Sequence, residues 1–304
     1  MPEGTSNSLV NLGDLSKPAD TLIKKVSKAV GGLFAPYQIK RIAIAEAEAA
    51  VIKAQSEIEI TDLHRRAMRR FIEEEGNRQK NIEDITSKAL PLLKESSDPN
   101  SIEDDWVTNF FDKSRIVSDQ EMQDLWSRVL AGEANRPGSY SKRTVNFLSD
   151  LDKSDAQLFR TLLGFGWMIG DIVPLVFDVE DAIYNECGIR FDTLTHLESI
   201  GLIQFNNLAS FVKLPLPKKF AVHYYGQPLS LEMELDSKNK LDIGRAILTK
   251  IGQELALICG SQPVEGFVDY VKQKWTAYLP KPKAEETDAG QEALTIEATS
   301  TSEN

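Results

Sequence analysis

The sequence predicts a mainly α-helical protein with a small α+β part: a long N-terminal helix, a helical middle module and a winged-helix-like C-terminal module. Three observations predict it. Between Ala35 and about Leu93 only Pro36, Gly76 and, near the end, Pro91 interrupt a run dense in Ala, Glu, Arg, Lys and Gln, which are good helix formers. From 96 to 153, turn residues and capping signals punctuate apolar faces of helical period. After Ser154 the elements shorten, and short β-type runs follow a helix closed by glycine.

The ends come first. Residues 1–17, rich in Ser, Asn and Gly, and the acidic tail 281–304 lack apolar periodicity and are expected to be disordered. Residues 18–34 carry Lys24, Lys25 and Lys28 beside apolar Leu22, Ile23, Val26, Val30, Leu33 and Phe34, which predicts a basic amphipathic helix ending at Gly31-Gly32. Such a helix can lie on an anionic membrane surface, dock on a partner, or pack on its own protein.

Residues 35–95 read as one long charged helix, or a helical hairpin broken near Gly76. Its apolar stripe runs through Ile39, Ile42, Ala45, Ala49, Ile52, Ile60, Leu63, Ala67 and Phe71. The stripe is narrow, and Arg65, Arg66, Arg69 and Arg70 are followed by Glu73, Glu74 and Glu75, as on a solvated helix laced with ion pairs. A long helix with so thin an apolar face needs a neighbour, so coiled-coil pairing or self-association through Ile39, Ile42, Ile52, Leu63 and Phe71 is expected.

In residues 96–153, Ser101 is expected to cap a helix bearing Trp106, Phe110 and Phe111. Ser118 to Glu121 has the form of a capping box before Met122, Leu125, Trp126, Val129 and Leu130. Pro137-Gly138 turns the chain, and Ser139 or Ser141 caps the next helix. Residues 154–280 open with a second capping box, Ser154 to Gln157. A helix over Phe191–Ile200 closed by Gly201 follows, then strands near 202–205, 210–214, 220–225 and 242–248, and a helix capped by Thr249. That order is the one a winged-helix module has.

Asp105-Trp106, Asn109-Phe110-Phe111, the run SDQEMQDLWSRVLAGEANRPGSYSKRT from Ser118 to Thr144 and LTKIGQELALIC from Leu248 to Cys259 resemble the bacterial domain-of-unknown-function family 2806. The resemblance covers most of the chain, from about Lys17 to Tyr278. The order LW, LAGE, GLI and LT-x-x-G is also similar, over less of the sequence, to abortive-infection alpha proteins. That second likeness implies a bacterial origin and a role in defence against phage. Neither resemblance transfers a catalytic residue.

Composition narrows the function classes. With 41% hydrophobic and 27% charged residues, the 304-residue chain is expected to pack a real core, with two domains favoured. A formal net charge of -11 repels polyanions unless a local basic patch intervenes. Cys187 and Cys259 lie outside any CxxC spacing and the histidines are only three, so neither a metal nor a cofactor is implied. Met1–Leu12 lacks the basic-then-apolar order of a secretion signal. Leu162–Phe177, the most apolar window, is too short to span a bilayer and carries Asp171 and Pro174. The expected location is cytoplasmic, with a peripheral position at the inner face of the membrane as the variant.

No GxSxG, HExxH or DxDxDG motif stands in the chain, and no catalytic residue is assigned. The paired carboxylates Asp104-Asp105 and Asp178, Glu180, Asp181 fall at expected helix starts, where they offset the dipole. The anion-binding candidate is the loop carrying Arg136, Ser139, Ser141, Lys142 and Arg143 at a helix N-terminus, although it lacks P-loop spacing. The structural alternative is a connection whose arginines pair with Glu133 or Asp150. Arg190 is balanced by Asp192 and Glu198 on the helix expected to enter a DNA groove, so protein contact is preferred there to nucleic acid.

Overall fold

The computed structural model describes residues 16–32 and 61–280. The disorder expected for 1–15 and 281–304, and the candidates Leu33, Phe34, Ile39, Ile42 and Ile52, lie outside the described residues. Ten α-helices and eight strands occur among them, the strands forming small antiparallel sheets, so the protein is mainly α with a minor β part.

Helix α1 (Lys17–Val30) starts inside the segment expected to be disordered, because the Ser16 hydroxyl caps it, accepting from Ala19 N at 3.4 Å. Gly31, at φ +81°, closes it. Its face of Pro18, Ala19, Leu22 and Val26 is buried. Helix α2 (Asp62–Ala89), capped by Thr61, passes through Gly76 without a break, since one exposed glycine costs a helix only about 1 kcal/mol. Its second half buries Ile82, Ile85, Thr86 and Ala89.

Helices α3 (Asp104–Ser114), α4 (Gln120–Asn135), α5 (Lys142–Ser149) and α6 (Lys153–Leu162) complete the helical part. In its core Trp106 stacks on Phe110, and Phe110 meets Trp126 edge-on, with ring centroids 5.1 Å apart in both pairs. Three expected caps are displaced. Ser101 ends a separate 3₁₀ turn, Pro99–Ser101, and α3 begins three residues later. Asp119, not Ser118, caps α4, because its carboxylate accepts from both Glu121 N and Met122 N. Helix α6 starts at Lys153 with no side-chain cap bond, and Gln157 donates instead to Glu121 at 3.0 Å.

The apolar window Leu162–Phe177 is largely buried, as expected of core, but turns at Gly170 into a hairpin of β1 (Gly166–Ile169) and β2 (Asp171–Pro174). Helices α7 (Ala182–Asn185) and α8 (Phe191–Ser199) lead through Gly201, at φ +90°, to β3 (Ile203–Phe205). Strands β4 (Phe211–Leu216), β5 (Lys219–Tyr224), β6 (Gln227–Glu232), β7 (Asn239–Gly244) and β8 (Ala246–Leu248) follow. They give a four-stranded sheet β2-β1-β5-β6 and the pairs β3-β8 and β4-β7. The single strand expected over Asp242–Leu248 is two, because Gly244 adopts φ +81° against the Val176 backbone, where a Cβ would lie 2.4 Å from the carbonyl oxygen. Helix α9 (Lys250–Ala256) is capped by Thr249 as expected, and α10 (Phe267–Lys274) brings Phe267, Val271 and the following Trp275 into an aromatic core with Trp167, Tyr184 and Tyr224. No helix among the described residues is long and apolar enough to cross a membrane.

Candidate functional site

The first half of α2 projects from the body as an arm: every residue from Thr61 to Glu74 is exposed. Leu63 is 65%, Met68 48%, Phe71 59% and Ile72 42% exposed, an unusual load of apolar area for free helix. The helical period explains where these side chains point. Ala67 precedes Ile85, and Phe71 precedes Ala89, by eighteen residues, which is five turns at 3.6 residues per turn. The face that buries Ile85 and Ala89 in the core therefore continues outward as Leu63, Ala67 and Phe71 with no cover among the described residues.

Ion pairs hold the arm helical: Arg65 with Asp62 at 3.0 Å, Arg69 with Glu73 at 3.1 Å, and Arg70 with Glu74 at 3.4 Å. Exposed pairs of this type contribute only about 0.2–0.5 kcal/mol each. The Arg65–Arg70 tetrad also sits in the first turns, where the helix dipole favours acids, not bases. The two self-association candidates that can be placed, Leu63 and Phe71, thus share one uncovered stripe.

The anion-binding candidates are divided by the fold. Arg136 and Ser139 line a cleft of about 630 Å³ with Lys250, Gln253 and Glu254, whereas Lys142 lies in a neighbouring cleft and pairs with Asp105 at 3.7 Å. Arg143 points to solvent. The start of α5 already holds a carboxylate. Buried Glu254 accepts from Ser141 N at 2.9 Å and Thr144 Oγ1 at 2.6 Å, while the Ser141 hydroxyl caps Thr144 N at 3.2 Å. The loop arginines do not pair with Glu133 or Asp150. Glu133 instead accepts from Gly138 N at 2.6 Å and Tyr140 N at 2.9 Å, and burial raises its pKa above the usual carboxylate range. Burial also pushes the Tyr140 phenol up to about 12.

Of the membrane or partner candidates, Lys25 and Lys28 both reach Asp104, at 3.1 and 3.3 Å, and Lys24 pairs with Asp20 at 2.7 Å. The apolar face of α1 is occupied by the protein itself, which is the packing alternative. On α8, His196 contacts Asp155 at 2.8 Å, Glu198 accepts from Phe205 N at 2.9 Å, and Phe191 lies edge-on to Phe205, so its outer face is acidic and aromatic, not basic. Cys187 and Cys259 are free thiols whose pKa values burial raises. Among the described residues no group of His, Cys, Asp or Glu side chains is placed to hold a metal ion.

Sequence reasoning missed Glu254, and it paired Glu133 with arginines where backbone N–H groups hold it. Glu254 lies 113 residues from Ser141, and nothing local to either position signals the pairing. Met68 and Ile72 were missed too, although their helical spacing beside Phe71 was there to read. No curated protein and no solved structure matches the chain. The family described as "Protein of unknown function (DUF2806)" matches residues 65–272, which span the second turn of the arm through most of α10, and the chain belongs to that family.

Proposed function

We propose that this chain is an interaction protein that self-associates, each copy laying the Leu63–Ala67–Phe71 stripe of its arm across the same stripe of a second copy. The observation that carries the reading is the phase of α2: a core-facing stripe runs on past the body with none of the described residues over it. A second copy is the fitting occupant because the stripe is self-complementary. Arg70 and Glu74 flank it four residues apart, so a two-fold crossing close to Phe71 sets each arginine beside the other copy's glutamate. The crossing is short, since the body occupies the same face from Ile82 onward, and it favours the steeply inclined packing of globular helices over a long coiled coil.

Magnitudes make the dimer reversible. Burying Leu63 and Phe71 on both copies contributes about 6–12 kcal/mol, which lies within the about 4–15 kcal/mol that association costs. Light scattering of the full chain over a dilution series is the test. The expected result is a dimer that dissociates on dilution, and a Phe71→Asp variant that keeps its circular dichroism while dimerising at least about thirtyfold more weakly. Arg70→Glu is expected to weaken the dimer, and adding Glu74→Arg to restore it. A parent chain that is monomeric at every concentration overturns the reading.

The order α7, α8, β3, the β4–β7 extension and β8 supports a winged-helix-like reading of the C-terminal part, used for protein contact. The same order favours a second reading, a DNA-binding regulator. Salt-dependent retardation of duplex DNA by the full chain supports that reading, and no binding at low salt removes it. The resemblance to abortive-infection alpha proteins adds a proposed setting, the bacterial cytoplasm and defence against phage, which a phage challenge with and without the gene tests.

A further inference from the structure

The body has a small cavity between α4, α6 and the end of α9. Its volume is about 90 Å³, and its lining is mostly apolar: Leu125, Leu151, Phe159 and Leu255 contribute to it, the last three of them buried. Cys259 lines it as well, but the thiol donates to the Ala256 carbonyl at 3.3 Å and so brings no free donor. The volume sets the size of what fits. It is about three times the share of one water in the liquid, and well under the about 150 Å³ that accommodates a benzene ring. A short branched alkyl group is therefore on the right scale, and an aromatic ring is not.

Charge sets the rest. The acids at the cavity are matched: Glu121 pairs with Lys153 at 3.2 Å and accepts from Gln157 at 3.0 Å, and Asp124 pairs with Lys88 at 2.7 Å. The arginines are not. Arg160 is exposed, and no carboxylate among the described residues pairs with it or with Arg128. Arg128 is half-buried, where an unmatched charge is costly. It is nevertheless held in place, since Nη1 donates to the Ile258 carbonyl at 2.9 Å and lies beside Gly260, where a Cβ would come within 2.6 Å of it. In a chain of net charge -11, two guanidinium groups without acids at one apolar cavity form a pattern that a bound anion completes.

We propose that this cavity binds a short branched aliphatic carboxylate, its alkyl group among Leu151, Phe159 and Leu255 and its carboxylate on the Arg128 and Arg160 guanidinium groups. A guanidinium presents paired N–H donors that match the two oxygens of a carboxylate. The inference stands apart from self-association, because every lining residue belongs to the body and none to the arm.

Titration of the full chain with isocaproate, followed by saturation-transfer NMR of the ligand, is the test. The expected result is saturable binding, with acetate, which lacks the alkyl group, and isocaproamide, which lacks the charge, binding at least about tenfold more weakly. Hydrocinnamate, with the same charge on a ring, is expected to bind more weakly too. Arg160→Gln, at an exposed position, is expected to weaken isocaproate binding at least about tenfold while circular dichroism stays unchanged, and so is Ala156→Leu, which fills the cavity from α6. No saturable binding overturns the proposal. Binding that either variant leaves unchanged does the same, since it places the ligand elsewhere on the chain. Hydrocinnamate binding more tightly than isocaproate overturns the aliphatic assignment.

Discussion

Glu254 ties α9 to the start of α5, its Oε2 accepting from Ser141 N and from the Ser141 and Thr144 hydroxyls. Removing it leaves buried donors unpaired, so Glu254→Ala is expected to cost about 2–4 kcal/mol in denaturant unfolding, with Glu254→Gln costing less because one acceptor remains. An unchanged midpoint in the alanine variant would show that the clamp is dispensable. Asp181 carries a pH dependence. The Tyr270 hydroxyl donates to it, and Lys274 lies 3.1 Å away, which together hold its carboxyl below the usual range. A depressed folded-state pKa contributes stability above the unfolded value of about 3.9 and loses it as pH falls through the folded value. Asp181→Asn is therefore expected to lower the thermal midpoint slightly at neutral pH and to flatten its fall on acidification, the effect being small because the side chain is partly exposed. Parallel acid profiles for parent and variant would sink this assignment.

At the scale of elements, two glycines in helices have opposite roles. A Cβ on Gly252 of α9 would lie 2.2 Å from the Leu202 carbonyl oxygen, so the helix lies hard against the chain entering β3. Gly76 of the arm has nothing within 4 Å of that position. Gly252→Ala is expected to destabilise by about 1–3 kcal/mol through overpacking, whereas Gly76→Ala gains roughly 0.5–1 kcal/mol of helix propensity. Thermal midpoints and helical circular dichroism read both, and a stabilised Gly252→Ala would mean that α9 does not pack this closely. Much of the element level was legible beforehand. The ends of α1, α8 and α9 were marked by Gly31, Gly201 and Thr249, whose local chemistry decides a helix end without help from the rest of the fold. The displaced caps have separate causes: Asp119 takes the role from Ser118, the Pro99–Ser101 turn absorbs Ser101, and the helix after Asp152 starts one residue before Ser154 with no side-chain cap bond. The β1-β2 hairpin and β6 were not legible, because a continuous apolar run carries no period and β6 draws its reason from β5 beside it.

The described residues form a body with an arm, and the candidate interface depends on that arrangement. Leu63 and Phe71 were readable as a stripe wanting a neighbour, whereas the Leu22 and Val26 stripe of α1 was left open to a membrane, a partner or the protein's own body. The fold ranks them: α1 is folded into the body, while the first turns of α2 stand clear of it. The helical class, the helix ends marked by glycine or threonine and the acidic balance follow from local chemistry or composition and were legible without a fold, and the family was legible in its motifs. It took the fold to show which apolar face the described residues leave exposed, and that Glu254 from α9 fills the anion position at α5. Both depend on residues far apart in the chain meeting in space, and burial is a property of that meeting, not of any single stretch of sequence.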